Sequence, residues 1–155
     1  MQSAFIEWKQ EPDEYLSTIM GTERTKKLNP IRTMSEKGIV ISFGSDAPCT
    51  TPDPIVWMDK AVNNPNTEQC ISIQDALKMC TYNGYYTSFD EDRIAGSLEV
   101  GKKADMVILS ENIYNAENIS KVRVEQLILN GKKYKSCSEK VIKAVICGLF
   151  SKNKF

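Results

Sequence analysis

The spacing of apolar residues divides the chain into a helix-forming part and a strand-forming part. Pro12 to Met20 predicts a short helix with Tyr15, Leu16, Ile19 and Met20 on one side and Gly21 as its stop. Thr22 to Leu28 is charged and predicts an exposed stretch. A second short helix is expected from Asn29 as N-cap and Pro30 at the first helical position. Ile31 and Met34 would face inward, and Gly38 would sit where a left-handed residue ends the helix. Ile39-Val40-Ile41-Ser42-Phe43 is a nearly continuous apolar run bounded by glycines, the pattern of a strand buried on both faces in a parallel sheet or barrel.

A loop, Gly44 to Pro52, follows that run. Asp53 as N-cap and Pro54 at the first position then open a helix through Val62, with Ile55, Met58 and Val62 as its apolar stripe. Asn63 to Asn66 interrupts the pattern. Ser72 caps the next helix, Asp75 holds the reciprocal capping position, and Ile71 can staple onto Ala76. Ile73, Ala76, Leu77 and Cys80 continue at helical spacing toward Tyr82–Phe89. Helix, buried strand, loop and helix make one turn of an α/β wheel.

Asp90-Glu91-Asp92 ends this part, and a domain boundary is expected there, giving segments 1–92 and 93–155. From Arg93 the period changes to two. Ala95–Leu98 and Ala104–Leu109 predict short strands around a turn at Glu99-Val100-Gly101-Lys102. Val122 and Val124 alternate, whereas Leu127 and Leu129 alternate one step out of phase, which places a bulge near Glu125. Asn130-Gly131 is the preferred two-residue hairpin turn. The second part is therefore a small antiparallel unit that needs a partner surface. A C-terminal helix from Ser138 would put Val141, Ile142, Val145 and Ile146 on one side.

Composition narrows the chemistry. Of 155 residues, 41% are hydrophobic and 26% charged, an ordinary globular balance. Twenty basic and 20 acidic residues give a formal net charge of zero, against a broad nucleic-acid footprint. There is no histidine, so the commonest metal ligand and neutral-pH base is missing. The five cysteines are scattered without a C-x-x-C pair, which fits cytoplasmic thiols better than a zinc cage or a disulfide framework. Neither a signal peptide nor a membrane-length apolar run is present, so a cytoplasmic location without membrane attachment is expected.

At Gly44-Ser45-Asp46-Ala47-Pro48, after an apolar strand and before a capped helix, the chain resembles the eighth barrel strand of the amidohydrolase superfamily, most of all its broad-specificity subgroup. Further segments agree in order. Ile73 to Leu77 with Thr81 and Asn83 is similar to the helix after that strand. Gly96 to Leu109 is similar to the return into the family's small β-sandwich, and Val124 to Tyr134 to its closing hairpin. Gln2-Ser3-Ala4-Phe5 and Gly21-Thr22-Glu23-Arg24 resemble the region around strand seven. The resemblance implies an α/β fold: the C-terminal part of a TIM-like (β/α)8 barrel, about strands seven and eight with their helices, plus strands of a small β-sandwich.

It also implies roles. The aspartate after strand eight binds a catalytic divalent metal, usually zinc, and relays a proton from the metal-activated water to the leaving amine; here that residue is Asp46. Arg24, after strand seven, is a candidate substrate anchor, with a solvated surface arginine as the plain reading. The family's other ligands are histidines on earlier strands, which this chain lacks. A catalytic zinc wants about three protein ligands, and a full barrel about 250 residues. The expectation is therefore a C-terminal fragment, inactive and metal-free by itself, whose missing part would complete the hydrolysis of C–N bonds in a small substrate. Exposed barrel surfaces predict self-association or pairing with the missing N-terminal part. The alternative is a non-catalytic binding or assembly domain that retains the hydrolase fold.

Cys49, three residues past Asp46, has no base to activate it and reads as a spectator. The Tyr82, Tyr85 and Tyr86 cluster reads as packing. Lys102-Lys103 and Lys132-Lys133 read as solubilising charges at turns.

Overall fold

The computed structural model describes residues 1–7, 15–89 and 93–134. Six short helices come first: Tyr15–Met20 (α1), Thr22–Thr25 (α2), Ile31–Glu36 (α3), Pro54–Val62 (α4), Ile73–Cys80 (α5) and Tyr82–Tyr86 (α6). Three strands follow: Met106–Leu109 (β1), Val124–Leu129 (β2) and Lys132–Tyr134 (β3). They form one antiparallel sheet in the order β1-β2-β3. The fold is a small α/β piece. Pro12 to Glu14, the acidic stretch at 90–92 and the expected C-terminal helix lie outside the described residues.

Local chemistry sets α4 and α5. The Asp53 carboxylate accepts from the Ile55 N–H at 3.1 Å, and Pro54 opens α4 where a missing N–H costs nothing. Ile55, Met58 and Ala61 are buried along its inner face. The Ser72 hydroxyl accepts from the Asp75 N–H at 3.0 Å and donates to the Asp75 carboxylate at 2.7 Å. The Asp75 side chain thus closes on the Ser72 hydroxyl, being a methylene shorter than the glutamate that reaches back to the cap N–H.

The core gathers Ile6, Ile31, Ile41, Ile55, Met58, Leu77 and Met79 with Ile113, Ile119 and Val122 from the second part of the chain. Each such side chain contributes about 1.5–3 kcal/mol on burial.

The antiparallel unit has the predicted bulge. Ile108 pairs with Gln126 and Leu109 with Val124, so Glu125 is the extra residue that moves Val124 and Leu127 out of phase. Asn130 and Gly131 turn with φ of 50° and 74°, and the turn is pinned from below. The buried Asp105 carboxylate accepts from the Asn130 N–H at 2.7 Å, and the Ala104 carbonyl from the Gly131 N–H at 2.9 Å.

Several expectations are corrected. In α1, Ile19 is 63% exposed while Ser17 is buried, so the inner face is rotated from the predicted one. Thr22–Leu28 is not wholly exposed: it contains α2, and Thr25 is buried with its hydroxyl donating to the Gly21 carbonyl at 3.1 Å. The N-cap of α3 is Pro30 rather than Asn29, because Asn29 adopts a φ of 48° and makes no side-chain cap. Gly38 does take the left-handed conformation, with φ 77°.

Ile39–Phe43 forms no ladder strand among the described residues, and Ile39 and Val40 are 48% and 44% exposed. Burial on both faces needs flanking strands, which the described residues do not supply. Ala95–Leu98 is a series of bends rather than a strand. Gly96, at φ 89°, lies against Tyr82 and Tyr85, so this backbone is used for packing instead of pairing. Lys102 is not a solvated charge: its side chain is 13% exposed, donates to the Ser97 hydroxyl at 2.7 Å and lies 3.7 Å from Glu99.

Candidate functional site

The site is built on the segment Ile39–Phe43 and the loop beyond it. Hydrogen bonds alternate sides along the segment, as in extended chain. The Ile39 N–H donates to Met34 at 3.1 Å and the Phe43 N–H to Met79 at 3.0 Å, while the Ile41 carbonyl accepts from the Asn83 side chain at 2.7 Å. On the opposite side the Ser42 carbonyl accepts from the Met1 nitrogen at 2.6 Å, and the Gly44 N–H donates to the Met1 carbonyl at 3.0 Å. Burial lowers the affinity of the Met1 amino group for its proton.

The loop then turns sharply. The Ser45 hydroxyl accepts from the Ala47 N–H at 3.1 Å, the Asp46 carbonyl accepts from the Cys49 N–H at 2.9 Å, and the Thr50 hydroxyl donates to the Ser45 carbonyl. Asp46 has φ 54°, a left-handed conformation that aspartate tolerates better than most residues. The Ala47–Pro48 peptide is cis. The end of the loop is tied to α4 by the Trp57 indole, which donates to the Thr51 carbonyl at 2.9 Å, and Ser3 donates to the Trp57 carbonyl at 2.9 Å. An open groove of about 530 Å³ runs along Ala4 and Ala47 to Pro52.

Asp46 is exposed at the head of this loop. An exposed carboxylate can bind a cation or accept a proton, but a catalytic zinc wants about three protein ligands. Among the described residues no group of three or more His, Cys, Asp or Glu side chains converges to hold a metal ion. The described donor set therefore does not fit a complete metal centre. Arg24 is exposed on α2, and among the described residues no hydrogen bond or ion pair joins it to Asp46. Cys49 is exposed as a free thiol. Cys80 is half-buried as a residue, but its sulfur is enclosed, and burial pushes the thiol far above its ordinary pKa.

Two supports of the site were not legible as roles in the sequence. Asn83 enters the sequence pattern only through the family resemblance, yet it anchors Ile41. Met1 continues the line of the loop's neighbours with no motif to signal it.

A family profile described as "Amidohydrolase family" matches residues 2–133, and the chain belongs to that family. It is 30% identical over 115 residues to an N-substituted formamide deformylase of Arthrobacter pascens, covering 70% of this chain and 19% of that protein. It is 32% identical over 89 residues to a 5-methylthioadenosine/S-adenosylhomocysteine deaminase of Caldanaerobacter subterraneus, covering 54% of this chain and 20% of that one. The chain thus spans about a fifth of the length of these relatives. No solved structure matches it. No helix among the described residues is long and apolar enough to cross a membrane.

Proposed function

We propose that this chain is the Asp46-bearing C-terminal segment of a metal-dependent amidohydrolase that hydrolyses C–N bonds of a small substrate. The observation that carries the reading is the family match across residues 2–133, with Asp46 between an extended apolar segment and the capped helix α4. A deformylase and a deaminase among the relatives support C–N bonds as the target. In this reading residues 1–92 belong to a TIM-like barrel and 93–155 to a β-sandwich. Asp46 is the carboxylate that ligates the family's divalent metal and transfers a proton. The free thiols of Cys49, Cys70 and Cys80 fit a reducing, cytoplasmic setting. Because the described residues bring Asp46 no second ligand, no hydrolytic step is assigned to this chain by itself, and it is inactive alone.

The test is an exchange of segments. Residues 2–133 replace the matched region of the Arthrobacter pascens deformylase, and activity and zinc content of the purified chimera are measured. The reading expects both to persist and both to fall with Asp46→Ala. A folded chimera whose activity and zinc content ignore Asp46→Ala contradicts it. The second reading, a non-catalytic assembly module, is favoured by the half-exposed Ile39 and Val40; it expects that indifference to Asp46.

A further inference from the structure

Met1 and the segment Ile39–Phe43 together describe the first rung of a parallel ladder. The Met1 nitrogen donates to Ser42 and the Met1 carbonyl accepts from Gly44. One residue bonding to both neighbours of Phe43 in this sense is the parallel pattern. Continued by one step along Ile39–Phe43, the same pattern needs the Val40 carbonyl as acceptor and the Ser42 N–H as donor. Among the described residues neither group has a hydrogen-bond partner, and Val40 is 44% exposed. The other side of the segment is occupied by Met34, Met79 and Asn83.

We propose that the edge at Val40 and Ser42 is an acceptor for one parallel, apolar β-strand, lying in line with Met1 and supplied by amidohydrolase sequence outside residues 1–155. Three observations choose this occupant. Met1 fixes a parallel direction, whereas a second copy meeting the same edge across a two-fold axis would run antiparallel. The exposed side chains beside the edge, Ile39 and Val40, are β-branched and apolar and match a strand of like composition. The relatives hold about four-fifths of their length beyond the matched region. Main-chain bonds would give the affinity and the alternate side chains the selectivity, as in strand addition generally. The choice of occupant rests on the proposed function; the open edge does not.

The experiment is amide hydrogen exchange of the full chain by NMR, with synthetic peptides tiling the part of the Arthrobacter pascens deformylase that the chain does not cover. An apolar peptide should slow exchange at Val40 and Ser42 by about tenfold or more, and leave Ile41, whose N–H faces the other side, unchanged. Val40→Lys, which blunts an edge without removing backbone groups, should abolish the slowing while leaving protection in α4 and α5 intact. No protecting peptide overturns the proposal. So does protection of Val40 and Ser42 that rises with protein concentration in the absence of peptide, which assigns the edge to a second copy. The Asp46→Ala chimera reads the function separately, so either idea can fail alone.

Discussion

The side-chain amide of Asn83 donates to the carbonyl of Ile41 at 2.7 Å, in a bond buried between the first turn of α6 and the segment that leads to Asp46. Asn83 is 7% exposed and Ile41 4%. Neither group has water to fall back on, so removing the donor leaves a buried carbonyl unsatisfied. Asn83→Ala should destabilise the chain by about 1–3 kcal/mol. Chemical denaturation checks it, and an unchanged midpoint would mean that the bond does not hold the segment.

Gly96 and Gly101 allow the effect of packing to be separated from that of backbone conformation. Both have φ near 90°, at 89° and 91°. A Cβ on Gly96 would meet Tyr85 Cδ2 at 3.0 Å and the Tyr82 Cα at 3.3 Å, whereas nothing lies within 4 Å at Gly101. Both alanine variants bear the left-handed strain, of order 1–3 kcal/mol, and Gly96→Ala adds a clash with backbone. Gly96→Ala should therefore lower the melting temperature clearly more than Gly101→Ala; equal losses would remove the Tyr82–Tyr85 contact from the account.

The caps of α4 and α5 make a third case. Asp53→Ala and Ser72→Ala each remove an oxygen that accepts from a first-turn N–H, and each should cost about 0.5–2 kcal/mol. Asparagine at position 53 keeps the acceptor and should recover most of that loss in the same unfolding assay. If Asp53→Asn is as damaging as alanine, the carboxylate does something other than cap.

Thiol labelling separates Cys49 from Cys80. Cys49 is exposed on the Asp46 loop, while burial holds the Cys80 thiol protonated well above neutral pH. Peptide mapping after brief treatment with a maleimide at neutral pH should find Cys49 modified and Cys80 spared, with Cys80 reacting once denaturant is added. Early modification of Cys80 would show that the core beside Pro54 opens readily.

These cases also show what the sequence could reveal. Asp53-Pro54, Ser72, the Asn130-Gly131 turn and the bulge at Glu125 were readable because each depends on chemistry within a few residues. The Ile39–Phe43 run was readable as apolar and extended, but its pairing was not, since a ladder belongs to two segments at once. Ala95–Leu98 failed for the same reason: the tyrosines that claim Gly96 lie more than ten residues upstream. Lys102 was misread as solvated because nothing local marks Ser97 and Tyr82 as its neighbours. At the site, Asp46 was legible from Gly44 to Pro48, while its supports Asn83 and Met1 were fixed only by the fold.

The account turns on Asp46 having its place in the loop without the ligands that would make a metal centre. Zinc titration by calorimetry on the chain and on its Asp46→Ala variant measures this directly. The account predicts the same weak or absent binding for both. Tight binding by the chain that is lost with Asp46→Ala would contradict it.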